Sequence, residues 1–158
     1  MAITIIAVGK LKEQYWRAAE AEYVKRLQKE GIKIIEVAEE RLPAVPSEAQ
    51  IAEAKLKEGQ RLLNALPKDC FVFVLDGRGQ NIPSEQLAER IAEAELGGRG
   101  QFAFIIGGSY GLPPQVLQRA DFVLSFGKMT YPHQLMRIIL LEQVYRAYKI
   151  KRGEPYHK

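Results

Sequence analysis

Two internal stretches of this 158-residue chain, and its last ten residues, carry side chains whose types and spacing could do chemistry. The first is Gly107-Gly108-Ser109-Tyr110-Gly111, which fits the nucleophile-elbow pattern G-x-S-x-G. Asp121 and then His133 or His157 follow Ser109, which is the chain order a serine hydrolase needs. Against that reading, Pro113-Pro114 comes too soon for a helix to run straight out of the turn. The glycines also miss the G-x-G-x-x-G spacing, and no Gly-Lys-Ser/Thr follows, so both nucleotide-phosphate fingerprints fail. What is left is a strand end that a ligand's atoms can approach closely, because Gly107 and Gly108 have no side chain.

The second stretch is Met129-Thr130-Tyr131-Pro132-His133-Gln134-Leu135-Met136-Arg137. His133 and Arg137 lie four residues apart at the start of an expected helix, so they should project from one face about a turn apart. A neutral imidazole at a helix N-terminus can donate or accept a hydrogen bond. The third is the closing KIKRGEPYHK. Lys149, Lys151, Arg152 and Lys158 supply phosphate-directed charge, while Tyr156 and His157 offer flat surfaces for stacking or hydrogen bonding.

These residues need elements to position them. Five segments rich in β-branched or aromatic residues read as strands: 3–8, 32–37, 70–75, 101–106 and 122–126. Helical periodicity fills the gaps. Trp16, Ala19, Tyr23 and Leu27 mark one helix, and Ser47 with Gln50 reads as a capping box opening a second that Pro67 stops. A third runs from Pro83-Ser84 to Gly97-Gly98, a short fourth spans about 113–119, and the last runs from about Pro132 to Ile150. Alternating strands and helices, with the later strands apolar on both faces, imply a parallel sheet covered by helices on each side, a small single-domain α/β sandwich. Three strands run into glycine-bearing ends, at Asp76-Gly77-Arg78-Gly79, at Gly107-Gly108 and at Gly127-Lys128-Met129-Thr130. If those strands are neighbours, their carboxyl ends form one pocket.

Bulk properties narrow the class. The start MAITIIAVGK has no basic region ahead of its apolar run and no span is long enough for a membrane, so a cytoplasmic protein is expected. The one cysteine, Cys70, opens an apolar strand and reads as a buried reduced thiol; no cysteine zinc site is expected, nor a metal of any kind. From residue 128 onward seven Lys/Arg face two Glu, so the net charge of +4 is concentrated at that end and points mildly to an anionic partner. The last helix is apolar around most of its circumference, from Leu135 to Tyr148, which implies burial on two sides and a homodimer through that helix.

With those residues in view, ITIIAVGKLKEQYW, FIIGGSYGLP, LSFGKMTYPHQLMRIILLEQVYRA and RGEPYHK together resemble the RlmH (YbeA-like) family of the SPOUT methyltransferase superfamily over nearly the whole chain. The resemblance implies one domain over residues 1–158 with a C-terminal trefoil knot, the knot and cofactor pocket lying in about 70–158. It implies an S-adenosyl-L-methionine-dependent enzyme that methylates N3 of a pseudouridine in 23S rRNA within the assembled ribosome, working as a homodimer. Carried over by position, the cofactor-binding places are Leu75, Gly107, Gly108, Phe126, Gly127, Lys128, Met129, Thr130 and Tyr131. His133, Arg137, Tyr156 and His157 are the expected catalytic residues, with His133 or His157 taking the N3 proton and Arg137 stabilising charge on the base. The alternatives are a non-catalytic ribosome- or RNA-binding module of the same fold and, less well supported, the Ser109 hydrolase.

Overall fold

The computed structural model describes residues 2–158. Five strands, β1 (Ala2–Val8), β2 (Ile32–Val37), β3 (Phe71–Asn81), β4 (Gln101–Ile106) and β5 (Phe122–Ser125), form one sheet in the order β2-β1-β4-β3-β5, every pair parallel. The helices are α1 (Gln14–Arg26), α2 (Glu48–Asn64), α3 (Ser84–Leu96), α4 (Pro114–Arg119) and α5 (His133–Lys151), with a 3₁₀ turn at Gln28–Glu30.

Strand residues alternate between two cores. Ile3, Ile5, Phe73, Leu75, Phe102 and Phe104 point to one face and meet α3 and α5 through Leu87, Ile91, Leu140, Leu141 and Val144. Ile6, Val8, Val72, Val74 and Ile105 point to the other and meet Leu62 of α2 and Val116 of α4. Both faces are covered, which is why these strands read as continuous apolar runs rather than as alternating ones. Phe73 stacks on Phe104 at 4.7 Å between ring centres, and each fully buried ring contributes roughly 1.5–3 kcal/mol.

The expected helices form where the sequence places them. The capping box is present: Gln50 N–H donates to Ser47 Oγ at 3.1 Å, and Ser47 N–H donates to the Gln50 side chain at 2.8 Å. Pro113 and Pro114 sit at the N-cap and first position of α4, where a missing N–H costs nothing. Cys70 is buried, its thiol donating to the Pro67 carbonyl at 3.2 Å.

One strand differs from expectation. β3 does not stop at Leu75: Leu75 pairs with Leu124, residues 76–79 bulge out, and Gln80 and Asn81 rejoin β5 beside Leu124 and Ser125. Gly79 makes the return possible, because a Cβ there would lie 2.5 Å from the Val123 carbonyl oxygen. Among the described residues no helix is long and apolar enough to cross a membrane.

Candidate active site at the strand ends

β4, β3 and β5 are adjacent in the sheet, so the three glycine-bearing ends meet at its carboxyl edge. Between them lies a cleft of about 470 Å³, within the range of small-molecule sites. Residues 75–77 form one wall, 106–109 with Gly111 and Leu112 a second, and Leu124 with 126–131 a third. His133 and Met136 reach in from the first turn of α5. All nine residues expected to bind cofactor line this cleft.

The third wall is held by Ser125, which the sequence reading passed over. Its buried hydroxyl accepts the Gly127 N–H at 3.1 Å and lies 3.4 Å from the Gly77 carbonyl and 3.3 Å from that of Gly127. A short strand ending in serine and glycine is the available signal. Gly127 needs to be glycine, with φ +108°. On the first wall, Asp76 accepts from the Arg78 N–H at 2.9 Å and from its guanidinium at 2.8 and 2.9 Å. That hydrogen-bonded guanidinium holds the Asp76 carboxyl below its ordinary range.

The cleft-lining glycines differ in what faces the missing side chain. At Gly107 the place of a Cβ is taken by Leu112, 2.9 Å away, and at Gly108 by Val8 and Glu58, at 3.2 and 3.3 Å. Their bare backbones let the turn pack closely against its own chain while it still lines the cleft. The open positions on the cleft wall are Gly77 and Gly111, where a Cβ would meet nothing within 4 Å; Gly111, at φ +86°, is glycine for its backbone as well.

The four expected catalytic residues are not brought together within the protomer. His133, half-buried, faces the cleft. Arg137 turns away from it and is 2 % exposed. Its guanidinium donates to Glu36 at 2.7 Å, Glu20 at 3.2 Å and the Gly9 carbonyl at 3.1 Å. Two carboxylates, on α1 and β2, draw it inward, so the expectation of a substrate-facing Arg137 gives way to a clamp that pins the start of α5 to β1 and β2. Tyr156 and His157 follow the end of α5 and contact its later turns. Tyr156 packs edge-on against Tyr145 at 4.9 Å and its hydroxyl donates to Glu142 at 3.2 Å. His157 contacts Arg146 at 3.1 Å and Glu85 at 2.7 Å. Arg146 is thirteen residues beyond His133, about 20 Å along the helix axis.

The hydrolase constellation does not assemble either. Asp121 lies at the opposite, amino-terminal edge of the sheet, where it accepts the Val72 N–H at 2.8 Å and faces Arg99 and Arg119. Ser109 sits instead in a turn closed by Gly111 N–H donating to the Gly108 carbonyl at 3.1 Å.

A parallel α/β sheet with a cleft at three neighbouring glycine-bearing ends, closed by the loop into a C-terminal helix, is the architecture of an α/β domain that takes a small ligand at the carboxyl ends of its strands. Solved structures share the fold: a "probable methylase family protein" from Haemophilus influenzae has a TM-score of 0.53 at 13% identity, covering 99% of this chain and 70% of that one. Residues 1–157 match the family model described as "Predicted SPOUT methyltransferase". Two curated relatives named "Ribosomal RNA large subunit methyltransferase H" are similar over the full length of both chains, at 54% identity in Carboxydothermus hydrogenoformans and 53% in Bifidobacterium adolescentis. The chain therefore belongs to the SPOUT methyltransferases and, within them, to the RlmH family.

Proposed function

We propose that this protein is an S-adenosyl-L-methionine-dependent methyltransferase that methylates N3 of a pseudouridine in 23S rRNA of assembled ribosomes, as a cytoplasmic homodimer. The cleft carries the reading, because nine cofactor positions inferred from sequence converge on one wall set. Its chemistry suits an adenosyl sulfonium: apolar strand ends at Leu75, Ile106 and Leu124, open wall positions at Gly77 and Gly111, and backbone groups along 126–131. The cofactor supplies an electrophilic methyl group when bound. The chain's own residues hold the acceptor base in line and take the N3 proton, and positioning accounts for much of the rate. His133, which lines the cleft, takes or holds that proton in this reading. Arg137 acts through it as a positioning residue. The trefoil knot, within about residues 70–158 of a single domain, belongs to the same reading.

The split between His133 and the Tyr156-His157 tail supports the homodimer. Leu135, Ile138 and Ile139 of α5 are only partly covered. Antiparallel pairing of two α5 helices about a two-fold axis exchanges their ends, so each tail lies by the other's cleft. The test is calorimetry with S-adenosyl-L-methionine, followed by methylation of large-subunit particles and mass spectrometry of the rRNA. Micromolar cofactor binding and one added methyl group on a pseudouridine are expected; a chain that binds ribosomes but not the cofactor would be the non-catalytic module instead.

A further inference from the structure

A second groove lies at the other end of α5, and the cleft's chemistry makes no use of it. It has a volume of about 260 Å³ and runs between the end of α1, the 3₁₀ turn and the last turns of α5. Lys25, Arg26, Lys29, Lys149 and Arg152 line it against only Glu30 and Glu154. Glu22, paired with Arg26 at 3.0 Å, adjoins this lining, so the local net is +2, half of the +4 of the entire chain. Three of the five cations are engaged, Arg26 by Glu22, Lys149 by Glu154 and Arg152 by Glu30, so the charge offered to a ligand is that of Lys25 and Lys29. Lys25 and Lys29 are exposed.

The bland explanation is that cations gather here to neutralise helix C-termini. Two termini end at the groove, those of α1 and α5. Each carries roughly half a negative charge, so together they offset about one of the two positive charges and still leave the groove attractive to an anion. Its aromatic residues are not offered for base stacking. Tyr145 has Arg26 and Lys149 over its ring at 5.5 and 5.4 Å, with Tyr156 edge-on to it at 4.9 Å, and Tyr148 is buried. A groove with cations at its rim and no free ring face suits phosphodiester groups, and reads neither base nor sequence.

We propose that this groove binds the phosphate backbone of the substrate RNA, anchoring it some 20 Å or more from the methyl-transfer cleft of the same protomer. The proposal rests on the methyltransferase reading and adds a site to it. In the antiparallel dimer, the groove of one copy lies toward the cleft of the other, so an anchored strand is presented to the partner's active site.

Lys25→Gln/Lys29→Gln tests it, with Lys68→Gln, an exposed lysine in the α2–β3 loop, as the control for net charge. Binding to large-subunit particles and to protein-free 23S rRNA is measured from 50 to 300 mM salt, together with kcat, KM and cofactor affinity. The double variant should raise KM roughly tenfold at about 150 mM salt and flatten the log–log salt slope by about 2, one unit per lost phosphate contact. Its kcat and cofactor affinity should match wild type, and Lys68→Gln should be silent. An unchanged slope, or an equal effect per charge from Lys68→Gln, overturns the groove as a phosphate site. A loss on whole particles with none on protein-free rRNA would make the partner an acidic ribosomal protein and also overturn it. Failure of the methyltransferase reading would appear separately, as absent cofactor binding and turnover in the wild type.

Discussion

The two ends of α5 are held in opposite ways. At its start Arg137 is buried between Glu20, Glu36 and the Gly9 carbonyl, and the helix cannot shift there without exposing an unpaired charge. Beyond its far end the tail is docked by more exposed contacts, His157 with Glu85 and Arg146 and the Tyr156 hydroxyl with Glu142, while Arg152 at the helix end pairs with the buried Glu30. Surface ion pairs contribute about 0–1 kcal/mol each. The cleft end is therefore preorganised, while the tail is docked by contacts cheap enough to exchange for others. In the proposed homodimer, contacts of that kind are exchangeable for contacts with a partner's site.

The largest expected effects test that division. His133→Ala should lower kcat by roughly 10²–10⁴ with cofactor affinity retained in calorimetry, the usual loss for a general base. His157→Ala should also lower kcat, despite lying far from the protomer's own cleft. Mixing the two inactive variants then decides where the tail works. Half of the randomly paired dimers would carry one site free of both substitutions, so about a quarter of wild-type activity should return. If the mixture stays as inactive as its parents, the tail serves its own protomer or no site at all, and the two ends of α5 are not complementary.

Next in size is the clamp. Arg137→Ala should cost about 3 kcal/mol in urea unfolding, because it leaves Glu20 and Glu36 facing each other with no cation between them. The figure is at the low end for a buried pair because both carboxylates keep some exposure, 21% and 34%. Arg146→Ala, at the other end of the helix, should cost under about 1 kcal/mol. Equal losses would mean that the two ends are held alike.

Arg137 also marks where the sequence stopped being legible. Its spacing from His133 correctly put both on one helix, but its direction is set by Glu20 and Glu36, which are 117 and 101 residues away in the chain. Periodicity cannot register such partners. The strands, the helices and the Ser47–Gln50 capping box were readable because each depends on neighbours within a few residues. The β3 bulge was not, since Asp76-Gly77-Arg78-Gly79 has a turn's composition and only pairing with β5 shows that the strand resumes. The location of the cleft was legible from three glycine-bearing strand ends. The duty of each glycine was not, because it depends on whether protein or open space faces the missing Cβ.

That distinction separates the front of the cleft from its back, with smaller effects expected. Gly107→Ala pushes a Cβ into Leu112 and should cost roughly 1–3 kcal/mol of stability. Gly77→Ala faces open cleft, so its stability should change by less than about 0.5 kcal/mol while cofactor affinity falls. Thermal unfolding and calorimetry on both variants should give opposite rankings. If Gly77→Ala binds cofactor normally, the cofactor does not occupy that wall.

A further modest effect is expected behind the glycine turn, where Glu58 of α2 is 7% exposed, packs against Gly108 and accepts the Glu40 N–H at 2.9 Å. Burial pushes its carboxyl above the ordinary range. The Glu40 N–H and Arg61 oppose that shift, while the charges of Glu39 and Glu40 add to it. Lys12, Arg41 and Lys55 line the same hollow. A carboxyl raised in the folded state favours the fold most when protonated, so its contribution is full below about pH 4 and is lost as pH rises through the raised value. Glu58→Gln keeps an acceptor for the Glu40 N–H and removes the titration. It should match wild type near pH 4 and exceed it by up to about 1 kcal/mol at pH 7 in denaturant titrations. A variant less stable at pH 7 would mean that the Glu58 charge itself holds the turn, and that the back of the cleft is built on electrostatics like the Arg137 clamp rather than on packing.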